Sequence, residues 1–169
     1  MNRTLAAALV LGALATASTA AAPNPSGVTL MHGDCLRESE SFPQLGKNAR
    51  TVRFYLPPSY HADSAQGRRY PVIYLLHGWP GSDGNWVTMG HACETADSLI
   101  SSGAIPEVIL VFPNGAGPGL LGRSLWLDSW DGRVPLESWL SGGLVAWVDS
   151  TLRTRADAHD RAVIGLSDG

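Results

Sequence analysis

Five residues at the end of the 169-residue sequence, Gly165-Leu166-Ser167-Asp168-Gly169, form a Gly-x-Ser-x-Gly pattern. The pattern alone is weak evidence for a nucleophile. Here, however, its serine comes directly after an apolar run, 162–166, that predicts a strand. A sharp turn from strand to helix exposes a serine hydroxyl above the carboxyl edge of a sheet, and Gly165 and Gly169 lack side chains that would collide across that turn. The pattern therefore predicts that Ser167 is a nucleophile that forms a covalent intermediate.

A second segment, His77-Gly78-Trp79-Pro80-Gly81, follows the apolar run 72–76. Where a nucleophile occupies a strand-to-helix turn, such a loop donates one backbone N–H to an oxyanion hole, and the residue after the nucleophile donates the other. We therefore predict Trp79 and Asp168 as the two backbone donors. Gly78 belongs to the same loop, and we expect His77 to brace the loop rather than to act as a base.

The elements that must position these residues alternate along the chain. Residues 50–56 alternate polar and apolar side chains and predict a half-buried strand, which ends at Pro57. Continuous apolar runs predict three strands buried on both faces: 72–76, 108–112 and 162–166. Helical periodicity predicts two helices: 86–102, ending near Gly103, and 135–152. The alternation indicates an α/β fold, with a mostly parallel sheet and helices on both of its faces.

The same segments resemble the putative-esterase family of the α/β-hydrolase superfamily. That family includes enterochelin esterases, formylglutathione hydrolases, feruloyl and acetyl-xylan esterases, and mycolyltransferases. The matching segments occur in the expected order: 53–60, 71–81, 85–86, 111–115 and 165–169. The resemblance implies an α/β-hydrolase (esterase) domain over 50–169. It also implies ester cleavage or acyl transfer through a serine acyl-enzyme, with no metal and no organic cofactor.

Two features depart from the family pattern. Asp168 stands where the family usually has a small or apolar residue, and a carboxylate beside a developing oxyanion is unfavourable unless it points away or is paired. The triad acid and histidine of this fold follow the nucleophile, but all five His of the sequence precede Ser167. We therefore expect the domain to be truncated after the nucleophile turn, nearly inactive as it stands, and to expose an apolar edge along strand 161–166.

The N-terminal residues predict export. Arg3, the apolar run 5–14 and the small residues 18–20 are typical of a signal peptide over 1–20. We expect 21–49 to be a linker and N-terminal segment, and the mature protein to be secreted, extracellular or in the cell envelope, without stable membrane insertion. In that compartment Cys35 and Cys93 could form a disulfide, although two separate thiols fit the sequence equally well.

Composition narrows the choice of partners. The net charge of −3, with acidic and basic residues interspersed, argues against a nucleic-acid partner. The two cysteines lack the clustered histidines of a zinc site. We expect a small-molecule or polysaccharide-linked ester substrate. Four tryptophans could stack on sugar or aromatic rings, which favours carbohydrate or feruloyl esters, although packing explains them equally well: Trp79, Trp86, Trp126 and Trp130.

Three alternatives stay open. Acyl transfer to an alcohol acceptor, as in mycolyltransferases, uses the same acyl-enzyme as hydrolysis. A non-catalytic secreted binding module would keep the scaffold without the reaction. Residues 117–122 fit Gly-x-Gly-x-x-Gly with Glu137 downstream, but Pro118 interrupts the pattern and the next predicted helix begins only near Pro135, which disfavours a dinucleotide site.

Overall fold

A five-stranded sheet organises the computed structural model, which describes residues 31–45, 49–62, 66–117, 122 and 124–169. The strands are β1 (Asp34–Ser41), β2 (Ala49–Leu56), β3 (Val72–Leu76), β4 (Ile109–Pro113) and β5 (Arg161–Gly165). Their spatial order is β1-β2-β4-β3-β5, in which β3 runs parallel to β4 and β5 while β2 runs antiparallel to β1 and β4. The predicted signal peptide, 1–20, lies outside the described residues.

All four predicted strands form, each within one residue of its predicted bounds. β3 and β4 are buried because each has a strand on both sides, with Val72 paired to Ile109 and to Arg161. The carboxyl ends of β3, β4 and β5 meet at one edge of the sheet. Ser167 and the loop that begins at His77 therefore leave the sheet side by side.

The predicted burial of the last strand is wrong for the described chain. Val163 of β5 is 63% exposed, and Ile164 and Leu166 are also exposed. The physical reason is position, because β5 is the outermost strand in the sheet order and pairs only with β3. Among the described residues this strand therefore leaves apolar side chains exposed.

Strand β1 is not predicted by the sequence, because its residues are mostly polar and exposed and follow no apolar alternation. It forms the opposite edge of the sheet, paired along its length with β2. Charged side chains on an edge strand discourage pairing with other chains. A disulfide between Cys35 of β1 and Cys93 fastens this edge to the helix above it, with a sequence separation of 58 residues.

The first predicted helix is interrupted. Two helices, α1 (Asn85–Thr88) and α2 (Ala92–Ser101), replace the continuous helix expected over 86–102. His91 adopts a left-handed φ of 48°, and a side chain at Gly90 would approach the carbonyl oxygen of Trp86 to 2.8 Å. The chain therefore turns between the two helices. Helix α2 ends near Gly103, as predicted, and Gly103 has a φ of 71°.

The second predicted helix forms as three joined pieces: α3 (Leu136–Ser138), a π-helical segment (Trp139–Leu144) and α4 (Val145–Thr151). The wider π-helical turn contains Gly142 and Gly143, which hold the α conformation weakly. Leu136, Leu144 and Val148 lie on the buried face, as the four-residue spacing predicts. Trp139 fills the same core.

Two apolar layers cover the two faces of the sheet. One packs the helix 136–151 against β2, β3 and β4 through residues such as Phe54 and Val111. The other packs α2 against Tyr55, Leu110 and Phe112. Helices on both faces are thus confirmed. Within the described ranges, no helix is both long enough and apolar enough to cross a bilayer.

Candidate active site

Ser167 occupies a four-residue turn directly after β5. The N–H of Gly169 donates to the carbonyl oxygen of Leu166 at 3.0 Å, and the N–H of Leu166 donates to Leu76 at 3.2 Å, which joins the turn to the end of β3. Ser167 has a φ of 58°, a left-handed conformation that costs a non-glycine residue free energy and that occurs mostly where the surrounding structure imposes it. The hydroxyl is therefore presented by a tight, strained bend.

The two motif glycines face backbone. A Cβ at Gly165 would lie 2.2 Å from the carbonyl carbon of Gly169, and a Cβ at Gly169 would lie 2.4 Å from the carbonyl oxygen of Leu76. Carbon atoms do not approach this closely without a bond, so any side chain at either position would force the turn open. Both glycines are required by close approach rather than by a positive φ.

The loop 77–81 lies against the serine. A Cβ at Gly78 would lie 2.8 Å from Ser167 Cβ and 3.5 Å from its Oγ, so this glycine lets the loop backbone approach the hydroxyl. The loop is itself tight, because a Cβ at Gly81 would meet the carbonyl oxygen of Gly78 at 2.4 Å. The structure thus brings together the two segments singled out by sequence.

His77 is a bracing residue in this arrangement. Its side chain is buried, with the residue 6% exposed, and its Nε2 accepts a hydrogen bond from the Gly115 N–H at 3.0 Å. Since Nε2 is an acceptor, Nδ1 carries the proton and donates it to the carbonyl oxygen of Gly78 at 2.8 Å. Both ring nitrogens are therefore engaged within the protein.

Trp126 supports the same loop and is not available for stacking on a substrate, which corrects one of the four tryptophan predictions. Its indole N–H donates to the carbonyl oxygen of His77 at 3.0 Å, and its ring packs edge-on against the His77 ring at 5.0 Å. A Cβ at Gly115 would touch the indole at 2.5 Å. Sequence inspection missed this role because the residues are far apart along the chain.

An apolar cavity of about 300 Å³ opens beside Ser167. Trp79, Pro80, Trp86 and Met89 line it together with Leu166, while the indole N–H of Trp86 donates to Leu76 at 3.1 Å. Such a cavity has the volume and lining typical of a site for a small apolar group.

Trp79 and Asp168, the predicted backbone donors, line a second, smaller cavity of about 10 Å³. Gly78, Gly115 and Trp126 also line it. This volume is close to the smallest that holds one water molecule. The arrangement therefore leaves room for one oxygen atom between the loop 77–81 and the serine turn.

A hydrogen-bonded turn presents Trp130 to solvent. The N–H of Gly132 donates to Ser129 at 2.9 Å, the Ser129 hydroxyl donates to Asp131 at 2.8 Å, and Trp130 is 99% exposed. Residues of this segment, from Ser124 to Val134, line an open hollow of about 540 Å³. Ser124 also lines the small cavity beside Asp168, so the hollow and that cavity are neighbours.

The carboxylates of this segment are committed to local structure. Asp128 accepts hydrogen bonds from the Ser138 hydroxyl at 2.6 Å and from its N–H at 3.0 Å, which lowers the pKa of Asp128. The Ser129 hydroxyl, followed by the Arg133 N–H, lowers the pKa of Asp131. Among the described residues no three His, Cys, Asp or Glu side chains are grouped so as to hold a metal ion.

The strand order, the helices on both faces and the serine turn at the carboxyl edge define an α/β-hydrolase. The sequence matches the family described as "Putative esterase" over residues 44–169, and the chain belongs to this esterase family. The fold and family expected from the sequence motifs are thus confirmed.

Individual relatives agree with this assignment. The chain is 32% identical over 124 residues to an endo-1,4-beta-xylanase/feruloyl esterase of Xylanibacter ruminicola, and 30% identical over 118 residues to an esterase of Mycobacterium tuberculosis. These alignments cover 71% and 70% of this chain, and 16% and 24% of the relatives. A solved ferulic acid esterase superposes with a TM-score of 0.74 and 27% identity, over 82% of this chain and 51% of that structure.

Proposed function

We propose that this chain carries the nucleophile and the oxyanion hole of a secreted serine esterase. In the proposed reaction Ser167 Oγ bonds to the carbonyl carbon of a carboxylic ester, the bond from that carbon to the alcohol oxygen breaks, and the serine proton passes through a general base to the departing alcohol. Water then cleaves the acyl-enzyme by the reverse sequence of steps. The observation that carries the proposal is the strained Ser167 turn held against Gly78.

The proposed oxyanion hole uses backbone donors. The cavity of about 10 Å³ shared by Trp79 and Asp168 matches the size of the single oxygen that becomes negative in the tetrahedral intermediate. Their N–H groups would donate to that oxygen, and removing one such donor typically costs about 3 kcal/mol of transition-state stabilisation. Because the donors are backbone groups, Asp168 is compatible with this role whenever its carboxylate is directed elsewhere.

We propose that His77 is not the proton acceptor. Its Nε2 lone pair is already used by the Gly115 N–H, and its Nδ1 proton is used by Gly78. We therefore assign proton transfer to a histidine other than His77, one that in this fold follows the nucleophile in chain order. The chain spans about half of the solved esterase, and catalytic activity is proposed for the whole protein rather than for this segment.

For the substrate we propose an ester of an aromatic acid with a sugar of a polysaccharide. The cavity beside Ser167 has two indoles, Trp79 and Trp86, suited to contact a phenyl ring. The exposed indole of Trp130 beside the adjoining hollow is suited to stack on a sugar. One relative's name includes both xylanase and feruloyl esterase, which agrees with this substrate class.

Export is supported by two features. The signal-peptide pattern over 1–20 predicts it, and the disulfide between Cys35 and Cys93 is of a kind that persists in oxidising compartments. Mass spectrometry of the protein recovered from culture medium would find a chain that begins near residue 21. An uncleaved chain retained in the cytoplasm would refute secretion.

The test of catalysis is labelling of the full-length protein with a fluorophosphonate, which reacts with activated serines. Ser167→Ala should abolish labelling, whereas Ser102→Ala, at an exposed serine directly after α2, should leave it unchanged. Undiminished labelling of Ser167→Ala would refute the assignment, and an unlabelled wild-type protein would favour the non-catalytic binding module. Products from methyl ferulate with added alcohol separate hydrolysis, which gives free acid, from acyl transfer, which gives a new ester.

A further inference from the structure

A buried carboxylate lies at the far end of the loop that carries Gly78 and Trp79. Asp83 is 3% exposed and accepts hydrogen bonds from Arg53 Nε at 2.9 Å and Arg37 Nε at 3.2 Å. The hydroxyl of Thr51 donates to its other oxygen at 2.8 Å. Asp83 therefore fastens the loop to two strands, since Arg37 belongs to β1 and the other two partners belong to β2.

The same hydrogen-bond chain continues to the near end of the loop. Thr51 Oγ accepts from the Asn114 side-chain amide at 3.1 Å, and the N–H of Asn114 donates to the carbonyl oxygen of Thr51, also at 3.1 Å. The next residue, Gly115, donates its N–H to His77 Nε2. One connected network thus hydrogen-bonds to the loop at two points, Asp83 and His77, which lie six residues apart.

Between these anchors the loop has few alternatives for its backbone. Gly78 and Gly81 approach other backbone atoms too closely to admit a side chain, and the N–H of Ser82 donates to Asn85 Oδ1 at 3.0 Å. Rotation of the segment would require one of the anchors to yield. We expect Asp83 to restrain the loop backbone more strongly than His77 does, because hydrogen bonds between ionised groups are shorter and stronger than neutral ones.

We propose that Asp83 is a positioning residue for the oxyanion hole: with Thr51 and Asn114 it fixes residues 77–82 so that the Trp79 N–H faces the small cavity that it shares with Asp168. This inference rests on the proposed function for its catalytic consequence, but the restraint on the loop is independent of catalysis. Misplacement of a catalytic group by about 1 Å can cost about 100-fold in rate. Loss of the anchor should therefore lower kcat more than it raises KM.

The experiment uses the full-length protein with Asp83→Asn, and Thr51→Val as a milder variant that cuts only the link between Asp83 and Asn114. Hydrogen–deuterium exchange of the peptide that contains 77–82 should accelerate about tenfold or more in Asp83→Asn and less in Thr51→Val. With methyl ferulate, kcat should fall about 10- to 100-fold for Asp83→Asn, with KM within about twofold of wild type.

Asp97→Asn is the matched control. Asp97 is also a buried aspartate with three hydrogen-bond donors, His32, Gly33 and Tyr55, but none of these lies in the loop 77–82. The Asp97→Asn variant should have a lower melting temperature than wild type. Its hydrogen–deuterium exchange in 77–82 and its kcat should both stay near the wild-type values. The inference is overturned if Asp83→Asn exchanges like wild type in this segment, or if Asp97→Asn loosens it equally. A wild-type protein without esterase activity would refute the proposed function, while the exchange data would still decide the role of Asp83.

Discussion

The Gly115 N–H donates a 3.0 Å hydrogen bond to Nε2 of His77, and this bond determines what the imidazole can do. With Nε2 acting as an acceptor, the neutral ring must carry its proton on Nδ1, where Gly78 accepts it. A histidine with both nitrogens engaged in this way holds backbone in place and has no lone pair for a serine proton. The residue therefore couples the turn after β4 to the loop beside Ser167.

We expect His77→Ala to lower the free energy of unfolding by about 2 kcal/mol, because the buried Gly115 N–H loses its acceptor. Fluorophosphonate labelling of Ser167 in the full-length protein should become slower without disappearing. Urea unfolding and labelling kinetics measure the two effects. His159→Ala, at an exposed histidine, should change stability by less than about 0.5 kcal/mol. Complete loss of labelling in His77→Ala would instead indicate that His77 is the base.

Gly165→Ala should destabilise the protein by about 3 kcal/mol and slow the labelling of Ser167, since its Cβ would lie 2.2 Å from a backbone carbon. Gly142→Ala is the matched control, because no atom lies within 4 Å of its would-be Cβ. That change should be neutral or stabilise by about 0.5–1 kcal/mol, through the lower entropy of the unfolded chain. Thermal melts and labelling rates compare the pair. Equal melting temperatures for the two variants would show that the turn is not as tight as described.

The disulfide should contribute about 4 kcal/mol to stability, because it closes a loop of 58 residues in the unfolded chain. Cys35→Ser is expected to lower the midpoint of urea unfolding accordingly, and a reductant should lower that of the wild type but not that of the variant. If the reductant shifts both proteins equally, the cysteines are not paired in solution. Mass spectrometry after alkylation gives an independent count of free thiols.

The sequence predicts elements well where local pattern and global position agree. β3 and β4 are continuous apolar runs and lie between other strands, so the pattern and the burial coincide. β5 has the same pattern but lies at an edge, and position relative to neighbouring strands is not encoded in its residues. β1 is a strand only because β2 offers its backbone for pairing, and its polar side chains carry no signal of this.

The candidate site likewise contains residues that the local sequence predicts and residues that it does not. Ser167, Gly165 and the loop 77–81 were predicted because a turn of this kind needs specific residue types at fixed spacing. Asp83 and Trp126 could not be predicted, since their partners are brought together only by the folded sheet: Arg53 lies thirty residues before Asp83, and His77 lies 49 residues before Trp126. Long-range hydrogen bonds of this type leave no periodic pattern in a single sequence.

Alkaline pH should destabilise the protein through Tyr74. Burial, followed by the charge of Asp149, raises the pKa of Tyr74 from 10.0 to about 12. The unfolded chain therefore loses this proton before the folded protein does, and stability falls as pH rises from about 10 to about 12, by roughly 2–3 kcal/mol. Urea unfolding across this range should show a smaller decline in Tyr74→Phe than in wild type. Identical declines would mean that Tyr74 does not contribute.

The exposed indole of Trp130 gives the sharpest test of the polysaccharide-linked substrate. Its turn is held by Ser129 and Asp131, so Trp130→Ala should leave the turn intact and remove only the ring. We take the roughly 0.5–1.5 kcal/mol typical of a pair of aromatic rings as the scale for a sugar stacked on an indole. The kcat/KM of the full-length protein for a feruloylated oligosaccharide should then fall about three- to tenfold. The value for methyl ferulate, which has no sugar, should not change. Trp130→Phe should retain most of the preference, and Leu127→Ala, at an exposed leucine of the same segment, serves as the control for lost apolar surface. Equal losses on both esters, or none on either, would show that Trp130 does not contact the sugar.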